Sequence, residues 1–165
     1  MLGRSTTHMH STDFKDNAGV IAPAPVLYGA ALAVGLAAEQ IAPTQLLSFP
    51  ISAWLGSAFI AVAVTIVASA FKALAQAHTA FDARKSTTQI VTTGAFRLSR
   101  NPTYLSLTLL LIGIAFATSS LWVLVSVIPA VAATQWGVIL REERYLKAKF
   151  GEGYSSYASK VRRWL

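Results

Sequence analysis

Two polar clusters bracket a 39-residue stretch, Pro102 to Leu140, that carries no charged side chain. Upstream stand Arg97, Arg100, Asn101, Pro102 and Tyr104; downstream stand Arg141, Glu142, Glu143 and Arg144. A guanidinium such as that of Arg100 grips a carboxylate or phosphate through two parallel N–H bonds. Carboxylates beside it offset a cation. Asn101-Pro102 is a helix-start signal, with Asn as N-cap and Pro at the first helical position. Such a start leaves backbone N–H groups and the positive end of the helix dipole free to attract an anion.

These residues do chemistry together only if the chain brings them together. The uncharged stretch is too long for one membrane span and suits two short ones of less than about 20 residues each. Folding back near Thr118-Ser119-Ser120 sets both polar ends on one side of the membrane. Asn101 lies 18 residues before Ser119 and Glu142 lies 23 after it, which match within two turns at about 1.5 Å per residue. Arg97, Arg100 and Tyr104 are therefore predicted to face Arg141, Glu142 and Glu143. A charge at the lipid boundary is costly if it faces lipid. At least one glutamate should turn inward, paired with Arg97, Arg100 or a cationic ligand. Local ion pairs within Arg141-Glu142-Glu143-Arg144 that fix helix depth are the alternative.

Composition agrees with a membrane setting. Hydrophobic residues make up 54% of the 165 and charged residues 13%, with a mean hydropathy of +0.51, against about 25% charged in an ordinary soluble domain. There is no cysteine, which excludes disulfides, thiolate metal sites and a cysteine nucleophile. The predicted fold is all-α and integral to the membrane, with four spans at about 25–42, 51–77, 103–117 and 121–140. Amphipathic helices follow: Tyr145, Leu146 and Phe150 share one face, Gly151 and Gly153 mark a break, and Tyr154, Tyr157, Val161 and Trp164 line a second. They are expected to lie along the membrane surface. Gly56 and Gly113 permit close helix approach, and Pro129 should kink the fourth span or open a backbone hydrogen bond.

Residues 1–20 form a polar leader with no apolar core, read as mobile and cytosolic, and 21–165 a single domain whose cofactor half is about 78–165. His8 and His10 lack further ligands nearby and suit a tail better than a metal site. All 14 Lys and Arg fall in the leader, at the end of span two, in 78–101 or after Leu140. That asymmetry sets both termini and the 78–101 loop in the cytoplasm. It assigns the net charge of +7 to topology and anionic lipid rather than to nucleic acid.

Over roughly Thr92 to Leu165 the chain resembles the isoprenylcysteine carboxyl methyltransferase and phospholipid methyltransferase superfamily of integral membrane enzymes. The shared pattern reads here as Gly94-Ala95-Phe96-Arg97, Arg100-Asn101-Pro102-x-Tyr104, then Glu142-Glu143-x-x-Leu146 and Phe150-Gly151-x-x-Tyr154-x-x-Tyr157. The resemblance implies a bacterial-type, inner-membrane member using S-adenosylmethionine as methyl donor. It implies a cofactor site built from His78, Gly94, Arg97, Asn101, Pro102, Tyr104, Tyr154 and Tyr157, with Arg100, Glu142 and Glu143 at the reacting end. The implied acceptor is lipophilic and membrane-embedded: an isoprenylcysteine-type carboxylate, a lipid amine or another small molecule. Tyr154 and Tyr157 would cover the cofactor or anchor the interface, and His78 would touch it or stand in a solvated loop. Ala95, Phe96, Asn101 and Ser106 depart from the usual Pro, Tyr, His and Gly, so a histidine-dependent proton transfer is unavailable at 101.

Two other classes compete. Sterol-type membrane reductases share a similar Pro-x-Tyr and Tyr-x-x-Tyr ending and use NADPH, but no basic cluster here is dedicated to a dinucleotide's extra phosphate. A non-catalytic four-helix protein is the other. A transporter would need an ionisable residue near mid-membrane, and Glu39 lies too near the end of span one.

Overall fold

Proline and glycine set the helix boundaries. The computed structural model describes residues 18–79 and 88–165. His8, His10 and most of the leader lie outside them, as do 80–87. Helix α1 (Ala24–Ile41) begins behind an extended Pro23, and α2 (Ile51–Gln76) begins behind Pro50. A short 3-10 turn, Gly94–Arg97, precedes α3 (Pro102–Ala117). Helix α4 (Leu121–Thr134) runs through a π turn, Gln135–Ile139, into α5 (Leu140–Phe150), and α6 (Glu152–Lys160) follows the left-handed Gly151. Among the described residues no strand occurs.

Three helical segments are long and apolar enough to cross a membrane: Ala24–Ile41, Ile51–Gln76 and Leu121–Phe150. In the last, the apolar run ends at Leu140, and α5 beyond it carries six charged side chains. The remaining expected span, α3, is apolar but has 16 residues, or about 24 Å of helix. Large apolar side chains such as Val34, Trp54, Val62 and Ile128 point outward, while alanines fill the interior. That inversion suits a lipid surrounding, where close contact of small residues holds helices together.

Helix α2 lies along α3 and α1 along α4, and α3 and α4 form the central hairpin. A Cβ on Gly56 would stand 2.5 Å from the Ala117 nitrogen, and one on Gly113 would stand 3.1 Å from the Gly56 oxygen. The two glycines therefore face each other across the α2–α3 seam, beside Phe59 and Phe116, which stack at 5.7 Å. The Tyr28 and Thr108 hydroxyls, 2.6 Å apart, tie α1 to α3.

The 43–50 connection and the hairpin turn meet at one end. Ser119 Oγ accepts from the Leu46 and Leu47 amides, and Thr44 Oγ1 accepts from the Leu121 amide. Glu39 joins this network, accepting from Ser120 Oγ and from Thr44. The acidic residue of span one thus ties two loops together. Pro129 lies within α4, and the regular ladder gives way six residues later at the π turn, an arrangement sequence periodicity did not reveal. That turn receives both ends of the described chain: the Ile21 amide donates to the Gly137 oxygen at 3.2 Å, and Trp164 Nε1 donates to Gln135 Oε1 at 3.1 Å.

Candidate functional site

At the other end of the hairpin the two polar motifs meet. Tyr104, in the first turn of α3, donates its hydroxyl to Glu142 Oε2 at 2.8 Å. Arg100 Nη1 lies 3.3 Å from Glu143 Oε1. A second arginine that sequence spacing did not nominate, Arg163, grips the same carboxylate with both arms, Nε to Oε1 at 3.0 Å and Nη2 to Oε2 at 2.7 Å. Both glutamates turn inward, each to a different partner.

The C-terminal segment, 161–165, acts as a strap across the 99–101 loop. Arg100 N donates to the Arg162 oxygen at 2.9 Å, Ser99 Oγ to the Arg163 oxygen at 3.1 Å, and Asn101 Nδ2 to that same oxygen at 3.0 Å. Asn101 stands at the N-cap position of α3 as expected, but its side chain caps nothing; the amide is turned to the strap instead. The second amphipathic helix ends at Lys160, so Val161 and Trp164 belong to this strap rather than to α6. Gly94 adopts φ +58° and sits against Ser69 and Ala73 of α2, which seats the loop's other end. Tyr157 closes the ring, donating to the Phe96 oxygen at 2.7 Å.

These contacts enclose a cavity of about 110 Å³. Seven of the sequence-nominated residues line it: Arg100, Asn101, Tyr104, Glu142, Glu143, Tyr154 and Tyr157. Its apolar side comes from Leu74, Ile90, Val91, Phe96 and Leu146. Of these, Leu74 and the 89–91 segment carry no motif that local spacing exposes. Four nominated residues stand elsewhere. His78 is exposed at the end of α2 with φ 48°. Gly94 serves loop seating. Pro102 is fully buried as the start of α3. Arg97 lies in an outer groove beside Tyr157 and Lys160, because the 3-10 turn ends before Arg100 and the two arginines do not share a face. Arg141 reaches the Gly19 oxygen at 2.9 Å and does not join the site.

Burial pushes the Glu142 carboxyl up to about 7, with the Glu143 charge adding and the Tyr104 hydrogen bond opposing. Burial and then the Glu143 charge raise the Tyr154 phenol, and burial raises that of Tyr157. The hydrogen bonds that Arg163 donates to Glu143 raise its guanidinium above the ordinary arginine value. One consequence concerns pH. The folded-state value of Glu142 lies above its ordinary 4.5, so its protonated form stabilises the fold at low pH. That contribution disappears as pH rises through about 7. Melting temperature in detergent should fall over that interval, and Glu142→Gln should flatten the fall. An identical slope in the variant would assign it to another group.

Fold and site together define an all-helical membrane protein with a polar, two-arginine, two-glutamate centre at one end of a hairpin. A sequence profile of the phospholipid methyltransferase family matches residues 51–153, from the start of α2 into α6. The chain belongs to that family. A relative from Haemophilus influenzae, described as an uncharacterized protein, is 40% identical over 62 residues, which is 38% of this chain and 98% of the relative. No solved structure matches.

Proposed function

We propose that the chain transfers a methyl group from S-adenosylmethionine to a lipophilic acceptor held in the membrane. The observation that carries this reading is the convergence of Arg100, Tyr104, Glu142 and Glu143 on one cavity that is polar on one wall and apolar on the other. The residues suit the donor. Arg100 Nε is buried with no hydrogen-bond partner in the protein, leaving a donor that a ligand acceptor would satisfy. Two carboxylates line the same cavity, complementary to a sulfonium.

When bound, S-adenosylmethionine supplies an electrophilic methyl whose bond to sulfur breaks with the electron pair returning to sulfur. Arg100 is assigned to a carboxylate of donor or acceptor, and Glu143, fixed by Arg100 and Arg163, to the positive end of the donor. Asn101, Tyr104, Tyr154 and Tyr157 shape and close the cavity, and the apolar wall excludes water, which favours in-line positioning over hydrolysis. Glu142 holds a proton at neutral pH or releases one. A carboxylate acceptor of the isoprenylcysteine type would need no proton removed; an amine would, and that proton is assigned to Glu142.

The charge asymmetry supports a four-span arrangement with both termini and the site facing the cytoplasm, where a soluble donor is at hand. Calorimetry of the detergent-solubilised protein tests the reading. S-adenosylmethionine and S-adenosylhomocysteine are expected to bind and NADPH is not; absence of heat with both adenosyl ligands would overturn it.

A further inference from the structure

The faces of α4 and α5 do not match as one continuous α-helix. At about 3.6 residues per turn, residues about 18 apart stand on one meridian of an unbroken helix. Arg141 lies 18 residues after Val123, which is fully buried. An unbroken helix would therefore carry the Arg141 guanidinium into the interior of the hairpin, and Arg144 would follow on the buried meridian of Ser126. Glu143 would take the place of Val125, 44% exposed, and Leu146 that of Ile128, 71% exposed. Both would face outward. The observed arrangement is the reverse: Arg141 reaches Gly19, Arg144 is exposed, and Glu143 and Leu146 line the cavity.

An offset of 19 restores the match. Ile139 is buried like Ser120, and Tyr145 like Ser126. Lys147 and Ala148 are exposed like Ile128 and Pro129. Glu142, 19 residues after Val123, falls on that buried meridian and meets Tyr104. Glu143 and Leu146 fall on those of Leu124 and Val127, which pack against the core. The π turn Gln135–Ile139 absorbs the extra residue, because its i→i+5 bonding holds about one residue more per turn than the α pattern.

The strap clasps this turn from both ends. Trp164 Nε1 donates to Gln135 Oε1 at 3.1 Å where the turn begins, and the adjacent Arg163 grips Glu143 beyond its end. Gln135 and Glu143 are eight residues apart, which on an unbroken helix sets them about 80° apart in rotation. With one residue absorbed they stand about 20° apart, close enough in line for two neighbouring strap residues to reach both. On another flank the Ile21 amide donates to the Gly137 oxygen.

We infer that the π turn decides which charges face the centre. It turns Glu142 and Glu143 toward Tyr104 and Arg100, in place of the Arg141 and Arg144 that flank them, and Gln135 and Trp164 are positioning residues that hold it. The effect on rate rests on the proposed methyl transfer; the register does not.

Changing the length of the turn tests this in the full chain. Removing Trp136, an exposed residue of the turn, lets an unbroken α-helix present the same faces, whereas inserting an alanine after Trp136 does not. The deletion should keep methyl transfer within about fivefold of wild type, and the insertion should lower it about 100-fold. The chain has no cysteine, so one introduced thiol reports its own face. Arg144→Cys should react with a water-soluble maleimide at least about tenfold faster than Leu146→Cys, both at wild-type length and with Trp136 removed. With the insertion that order should reverse. Trp164→Phe removes the indole donor and should lower transfer about fivefold; removing Trp136 from the same chain should restore it, since a regular helix needs no clasp. A folded deletion variant that loses transfer would overturn the inference, and it carries the test if the insertion does not fold. A thiol order that the insertion leaves unchanged would overturn it too, and a Trp164→Phe chain that the deletion does not restore would remove the role given to Trp164. Failure of the donor reading looks different: the wild type binds no adenosyl ligand, yet the thiol order still holds.

Discussion

Replacing Glu143 with glutamine is expected to lower methyl transfer by about 100-fold or more, the scale on which a preorganised charge acts in an enclosed site. The amide keeps the shape but removes the charge that Arg100 and Arg163 share. Two guanidiniums then face each other without a counter-ion. Breaking a buried pair costs about 3–5 kcal/mol, but the Arg163 side chain is 35% exposed, and water screens part of that loss. A destabilisation of about 1–2 kcal/mol is the expected remainder. Arg100→Ala should lose activity on a similar scale, since Arg100 lines the cavity and pairs with Glu143. Label transfer from the methyl donor in proteoliposomes, read beside the denaturation midpoint, separates the outcomes. Activity falling only in proportion to unfolded protein would assign Glu143 a structural role.

The largest effect on stability is expected at Gly56, far from the site. A Cβ there would meet the Ala117 nitrogen at 2.5 Å and its Cα at 2.8 Å. Both are backbone atoms, so no rotamer change relieves the clash. Gly56→Ala forces α2 and α3 apart and should cost about 1–3 kcal/mol, and Gly56→Leu more. The seam also carries the Ser52 hydroxyl, which donates to the Phe116 oxygen, so separation unmakes that bond as well. Gly29 is the control, because nothing lies within 4 Å of its Cβ position and Gly29→Ala should be nearly neutral. Unfolding in mixed micelles followed by circular dichroism measures all three. Equal losses at Gly29 and Gly56 would rule out close approach as the cause.

Sequence periodicity and charge placement reached far into this molecule. The break at Thr118-Ser119-Ser120, the proline-marked helix starts and the small residues Gly56 and Gly113 are local signals, and each stands where the chain alone suggests. The meeting of Arg100 and Tyr104 with the paired glutamates also follows from counting, because a hairpin of two rigid helices leaves few registers. Arg97 shows where counting stops. It lies three residues before Arg100, yet it closes the 3-10 turn that precedes α3 and faces an outer groove. Gly94 seats the loop against α2 and Pro102 starts α3, while His78 stands exposed beyond the end of α2.

The amino-acid sequence by itself determined a helical membrane protein whose polar motifs share one end of a hairpin, since lipid demands helices and the count of apolar residues limits their length. Tertiary structure alone decided which groups complete the centre. Arg163 reaches Glu143 from 20 residues away because the π turn and Gly151 set the angle at which α6 returns and the strap crosses the loop. Helix periodicity fixes faces, but only the packing of one helix against another decides what each face encloses.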